Sequence, residues 1–220
     1  MTSYTDRGIQ SFPLLMSLCN RISCMRSIRG KALLTEIVTV GSVWEESKLH
    51  EQSNDYVEDF CDFLALIWYY LYTCSGSRLT IGILKILWEN LVGAGYMVLL
   101  DGFSKVPYCS TEGRSLMSMD VATYNAGVSA RSIASRLDDQ PRCPLPNNIQ
   151  PYRTMSYVNT YIKLFYFPPD DALDWIKSNF KLYHQHHVLA LVSSARDAKH
   201  LSKQVMDCYR GKKDANTIRI

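Results

Sequence analysis

The sequence has no apolar run of membrane-spanning length, no regular cysteine spacing, no dense block of like charge and no strand-like alternation. The most membrane-like stretch, Phe63 to Tyr72, is ten residues, about half of what a helix needs to cross a bilayer. Asp59 and Asp62 stand just before it. No signal sequence is legible either, because Asp6 and Arg7 precede only the short apolar stretch Phe12 to Cys19. The reading is a soluble protein. The cysteines, at 19, 24, 61, 74, 109, 143 and 208, are odd in number and irregular, so reduced thiols are expected rather than a disulfide framework. No Asn-x-Ser/Thr acceptor occurs, which fits a cytosolic chain. With 11 Gly and 8 Pro in 220 residues, collagen-like and low-complexity chains are excluded. Disorder is excluded by 47% hydrophobic against 20% charged residues. A net charge of +3 is too mild for a nucleic-acid partner.

What is present is helical periodicity. From Asn54 to Cys74, Tyr56, Phe60, Phe63, Leu64, Ile67 and Leu71 recur at three- and four-residue steps, and the apolar end predicts burial on more than one side. From Leu79 to Val106 the same steps join Ile81, Leu84, Trp88, Leu91, Gly95, Leu99 and Phe103. Gly93-Ala94-Gly95 interrupts this helix and reads as close approach of a neighbouring helix rather than a phosphate loop. Pro107 is expected to break the helix, and Cys109-Ser110-Thr111 to cap a new one through Met119 to Tyr124. Residues 125 to 153 read as a loop, with Pro141, Pro144, Pro146 and Pro151 in quick succession. Helix resumes from Thr154 to Phe167, and after Pro168-Pro169 a short helix is expected with Asp170-Asp171 as its cap. Two further segments, 184 to 194 and 197 to 210, take Asp197 as a cap and Gly211 as a stop. Ile28 to Val40 is a weaker helix, being β-branched at Ile37-Val38-Thr39-Val40. The fold class is all-α, one domain of packed helices.

Candidate chemistry is sparse. Tyr183-His184-Gln185-His186-His187 carries a metal-like histidine cluster, with His184 and His187 on one helix face, yet no HExxH or CxxC and no obvious carboxylate accompanies it. Histidines at a helix start are the stronger reading, no metal or other cofactor is expected, and a metal-dependent hydrolase stands only as a foil. Cys109, at a helix start, has the placement of an activated thiol, but the sequence nominates no base for it. The better reading is a helix start where Glu112 favours the dipole and Arg114 finds a carboxylate. Two basic clusters (Arg21, Arg26, Arg29, Lys31 and Lys199, Lys203, Arg210, Lys212, Lys213) read as solvated faces before they read as lipid- or acid-binding patches. Plentiful aromatics, 14 Tyr and 4 Trp, lean towards a binding protein, and no enzyme is expected.

Four segments, in order, resemble the C-terminal domain of the syndetin family. The first is Val43-Trp44-Glu45-Glu46 followed by Asn54-Asp55-Tyr56-Val57, and the second is Ile86-Leu87-Trp88-Glu89. The third runs from Leu99-Leu100-Asp101-Gly102-Phe103 to Glu112-Gly113-Arg114-Ser115-Leu116-Met117 and Asp120, similar to the family's "EGRALM-x-x-D" signature. The fourth is Tyr157-Val158, Tyr161-Ile162-Lys163 and Tyr166, then Asp171 and Trp175-Ile176. The resemblance covers about residues 30 to 210. It divides the chain into a poorly defined segment 1–29, a helical domain 30–210 with a Pro-rich loop at about 138–152, and a tail 211–220.

The resemblance implies an all-α helical bundle of the helical-rod type that tethering subunits use, without catalytic activity. It implies a part in vesicle tethering and endocytic recycling, from endosome to plasma membrane. The implied partners are the other subunits of the endosome-associated recycling tether and SNARE proteins. The implied location is cytoplasmic, peripheral on recycling endosomes or trans-Golgi network membranes. Glu112, Arg114 and Asp120, with Tyr161, Lys163 and Trp175, are the residues carried as interaction or structural signature. Arg114 and Asp120 also fit a shared buried polar network, and Trp88 and Trp175 fit core packing. Two departures stand out: Pro107-Tyr108 replaces two basic residues usual in the family, and the Pro-rich loop is longer. In the family this domain follows a long coiled-coil and rod region that is not part of these 220 residues. The alternative is a free-standing helical adaptor that binds a protein partner or membrane surface without joining a tether.

Overall fold

A computed structural model describes residues 29–75, 80–133, 149–194 and 201–216. Within them the chain is helical: α1 (29–39), a short 3-10 turn Gly41–Trp44, α2 Asp55–Ser75, α3 Ile81–Phe103, α4 Thr111–Ile133, α5 Ile149–Leu164, α6 Pro169–Asn179, α7 Gln185–Ser194 and α8 Ser202–Asn216. There is no strand among the described residues, so the all-α class is the observed one.

The central element is α3, which packs against α2, α4 and α5. It is long and apolar enough by length and composition to cross a membrane, so it, not Phe63 to Tyr72, is the most membrane-like segment. Lys85, Glu89 and Asp101 split its hydropathy in the sequence, which is why a short-run count overlooks it. Its buried residues include Leu84, Trp88, Leu91, Val92, Tyr96, Leu99, Leu100 and Phe103, which mark it as a core helix. The Gly-rich interruption is a close approach, as the sequence implies. A Cβ on Gly95 would lie 2.7 Å from Cζ of Tyr124, whose hydroxyl donates to the Val92 carbonyl (3.0 Å). Tyr96 meets the same ring edge-on at 4.7 Å, and Phe60 stacks on it at 5.8 Å.

Several helix boundaries differ from those expected. Burial on α2 follows one broad stripe, while Leu66, Tyr69 and Tyr72 are exposed, so the helix is not enclosed all round. Helix α3 ends at Phe103, before Pro107: Ser104 N–H turns back to the Leu100 carbonyl (2.8 Å), and its hydroxyl donates to the Asp101 carbonyl (2.9 Å). Helix α4 runs nine residues past Tyr124, because Val121, Tyr124 and Val128 continue one buried face. Helix α5 begins at Ile149 and takes Pro151 within its first turn, where a missing N–H costs nothing. The expected loop therefore shrinks, and its remainder, 134–148, lies outside the described residues. At α6 the N-cap is Pro168, without a side-chain cap bond; Asp170 and Asp171 sit in the first turn and act on the dipole. Gly211 does not stop α8, which extends to Asn216, and the proposed Asp197 cap lies outside the described residues. Of the basic clusters, Arg21, Arg26 and Lys199 also lie outside; Arg29 pairs with Glu36 (2.8 Å), and Arg210 with Asp207 (3.5 Å).

Two apolar clusters organise the helices. The larger joins α1 to α5 and takes Leu191 from α7; the smaller joins Leu173, Ile176, Val188, Val192, Leu201, Val205 and Tyr209 of α6 to α8. Trp175 packs against both, so it ties the C-terminal helices to the main bundle.

Candidate functional site

The signature segment forms the first turns of α4, and the structure explains its residues one by one. Ser110 is the N-cap: its hydroxyl oxygen accepts from Gly113 N–H (2.9 Å) while its proton goes to the Glu46 carbonyl (2.7 Å). Ser110 N–H also donates to the Trp44 carbonyl (2.8 Å). This clamps the start of α4 against the 3-10 turn. Trp44 is held there by its own indole N–H on the Ile37 carbonyl (2.8 Å) and by an edge contact with Phe103 at 6.0 Å. Gly113 is the point of closest approach: a Cβ there would lie 2.9 Å from the Trp44 carbonyl carbon and 3.0 Å from its Cα. Glu112 is half-buried in the first turn, where its charge suits the helix dipole.

Asp120 is wholly buried and ties α4 to the start of α2. Its Oδ1 accepts from Asn54 N–H (2.9 Å), and its Oδ2 accepts from Asn54 Nδ2 (2.9 Å) and from the Tyr56 hydroxyl. The first and third resembling segments thus meet in space across 64 residues of sequence. Burial pushes the Asp120 carboxyl up to about 6, against the opposing pull of these donors. The ordinary unfolded value is about 3.9. The folded chain therefore holds the proton more tightly, and this residue's contribution is full below about pH 4 and is lost as pH rises through 6. Relative to Asp120→Asn, the wild type is expected to lose about 2 kcal/mol between pH 4 and pH 7. Denaturant melts of both proteins at several pH values read this directly, and parallel pH profiles would contradict it.

Arg114 is also buried, and among the described residues it meets no carboxylate. Its Nη2 donates to the Ser194 hydroxyl (3.1 Å), and its guanidinium lies 4.5 Å from the Phe165 ring centroid and 5.2 Å from that of Tyr161. Among the described residues, Nε and Nη1 have no hydrogen-bond partner. Nor does Arg114 share a network with Asp120. Six helical positions place them about 120° apart around α4, so one faces α5 and α7 and the other faces α2. Burial raises the Cys109 thiol, with the Arg114 charge opposing, so Cys109 is held as the thiol rather than as a nucleophilic thiolate.

The remaining signature residues divide by exposure. Tyr161 is buried beside Arg114, Trp175 is half-buried with an edge contact to Tyr183 at 5.0 Å, and Lys163 is exposed in the last turn of α5. Sequence reasoning did not single out Ser110, Gly113, Asn54, Tyr56 or Ser194 as site residues. The first four were legible as members of the resembling segments or of the helix start; Ser194 carried no signal.

The histidine segment differs from its expectation in one respect: it does have a carboxylate. Asp101 Oδ1 lies 2.7 Å from His187 Nε2 and 3.5 Å from His186 Nε2. The acid comes from the end of α3, 86 residues earlier, so no local spacing reveals it. His187 is buried and His186 exposed. His187 Nδ1 lies 3.0 Å from the Tyr157 hydroxyl, whose oxygen already accepts from His184 N–H (2.8 Å). Tyr157 therefore gives its proton to Nδ1, and His187 is neutral with Nε2–H donating to Asp101. Burial lowers His187, and the His187 hydrogen bond lowers Asp101, which agrees with that assignment.

A family model described as "Syndetin, C-terminal" matches residues 1–207. The chain belongs to the syndetin C-terminal family. Mouse syndetin is 26% identical over 156 residues, which is 69% of this chain and 15% of that protein. Chicken syndetin is 27% identical over 151 residues, 68% of this chain and 14% of that protein. The syndetin-like chain thus spans about one-seventh of the length of the curated relatives it matches. No solved structure matches it. The joining of Asn54 and Tyr56 to Asp120 and the packing of Gly113 on Trp44 give syndetin-like signature residues a scaffold role that their spacing alone does not disclose.

Proposed function

We propose that this chain is a non-enzymatic part of a vesicle-tethering subunit in endocytic recycling, acting through protein–protein contacts. The observation that carries the reading is the family match across residues 1–207. The partners it would engage are the other subunits of the endosome-associated recycling tether, and SNARE proteins with them. Its place would be cytoplasmic, peripheral on recycling endosomes or trans-Golgi network membranes. Tethering needs a rigid helical body with binding residues on its surface, and the aromatic core and buried signature residues supply rigidity.

Of the six residues carried as the signature, Lys163 is fully surface-placed, with Glu112 and Trp175 half-buried. Lys163 is thus the residue whose change separates binding from folding. Lys163→Glu is expected to shift stability by no more than about 0.5 kcal/mol while slowing the return of endocytosed cargo to the plasma membrane. The measurement is a surface-return assay in cells where the variant replaces the native protein. Unchanged return with the variant, together with unchanged return when the protein is removed altogether, would overturn the recycling role.

A further inference from the structure

Asp101, His186 and His187 bring ligand atoms within 4.8 Å of one another, from the last turn of α3 and the first turn of α7. Consecutive helical residues normally point about 100° apart. Here, at the start of α7, both imidazoles turn their Nε2 atoms to one carboxylate oxygen, with ring centroids 4.0 Å apart. His184 adds a third ring, 5.6 Å from each of the other two. Behind the cluster, the Tyr157 oxygen contacts Nδ1 of His187 and fixes the buried ring. Metal-binding histidines donate that ring nitrogen's proton to an outer-shell oxygen, and the Tyr157 oxygen stands where it can accept it once Nε2 is metal-bound.

We propose that Asp101, His186 and His187 form a zinc site that clamps α7 to α3, with a coordination position left to water or to His184. Imidazole ligands with a single carboxylate favour zinc over magnesium or calcium, which take oxygen sets. Ligands on a tetrahedral zinc, with bonds of about 2.1 Å, stand about 3.4 Å apart. The His186–Asp101 separation of 3.5 Å already fits, and the 2.7 Å of His187–Asp101 opens when zinc replaces the proton between them. The proton balance is simple. His187 releases the Nε2 proton to solvent and takes one up on Nδ1, where Tyr157 turns from donor to acceptor, so the imidazole stays neutral. The consequence is an added cross-link between the main bundle and the C-terminal helices, at a junction that Trp175, Tyr157 and Leu191 already bridge.

The test titrates zinc chloride into the reduced full chain against a chromophoric chelator, with a thermal melt alongside. His186→Gln and Asp101→Asn serve as variants, since both positions reach the surface and their folding can be verified by circular dichroism. The expected result is one zinc per chain, a raised melting temperature with zinc and not with magnesium, and affinity at least about tenfold weaker in either folded variant. Cobalt(II) in the same site should show an absorption spectrum without thiolate charge transfer. Zinc binding that is equal in wild type and His186→Gln, no binding in the wild type, or a thiolate band that assigns the metal to cysteine would each overturn the site.

Discussion

Gly113→Ala is expected to cost about 3 kcal/mol, at the upper end of overpacking losses, and to lower the melting temperature by roughly 6–12 °C for a chain of this size. The added methyl would meet backbone, the carbonyl group and Cα of Trp44, rather than the end of a mobile side chain. Relief requires that α4 move away from the 3-10 turn. That motion strains the Ser110 cap, whose hydroxyl bridges the same two elements. Gly102→Ala is the internal control. Its Cβ meets chiefly the Ile37 side chain, which can adjust its outer torsion, so a loss nearer 1 kcal/mol is expected. Thermal and urea melts of the pair measure the contrast. Equal losses would show that the Trp44 contact is not the constraint described above.

Asp120→Ala is expected to cost about 4 kcal/mol, because several buried donors lose their acceptor at roughly 1–3 kcal/mol each. It leaves Asn54 N–H, Asn54 Nδ2 and the Tyr56 hydroxyl without their acceptor at the start of α2. The penalty comes from those stranded donors as much as from the lost carboxylate. Tyr56→Phe introduced on the Asp120→Ala background should therefore cost less than Tyr56→Phe introduced alone. The difference between the two costs is the coupling energy, expected at about 1–3 kcal/mol. Additive losses in a double-mutant cycle would mean that Tyr56 and Asp120 do not support one another.

Periodicity read the helices well where packing and pattern coincide. Tyr56, Phe60, Leu64, Ile67 and Leu71 fall on the observed buried stripe of α2, and Gly95 lies where Tyr124 presses on α3. It failed where turn chemistry was taken to decide a boundary that packing decides. Val128 keeps α4 helical beyond Tyr124, and Pro151 enters α5 in the one turn that tolerates it. The resembling segments held Arg114 and Asp120, and Asn54 and Tyr56 with them, but did not disclose which residues pair. A buried guanidinium reads from sequence as half of an ion pair, yet here aromatic faces and the Ser194 hydroxyl surround it. Asp101 illustrates the same limit. Its role beside His186 and His187 depends on how α3 and α7 cross, which no spacing within either segment encodes.

Partner recovery is the most direct test of the tethering role. The tagged chain would be expressed in its own cells at native level, purified at modest salt, and its companions identified and quantified. The account predicts the other recycling-tether subunits in constant ratio to the bait, and their loss with Lys163→Glu while that variant remains folded. A folded, soluble wild-type chain that returns without any of those subunits would contradict it.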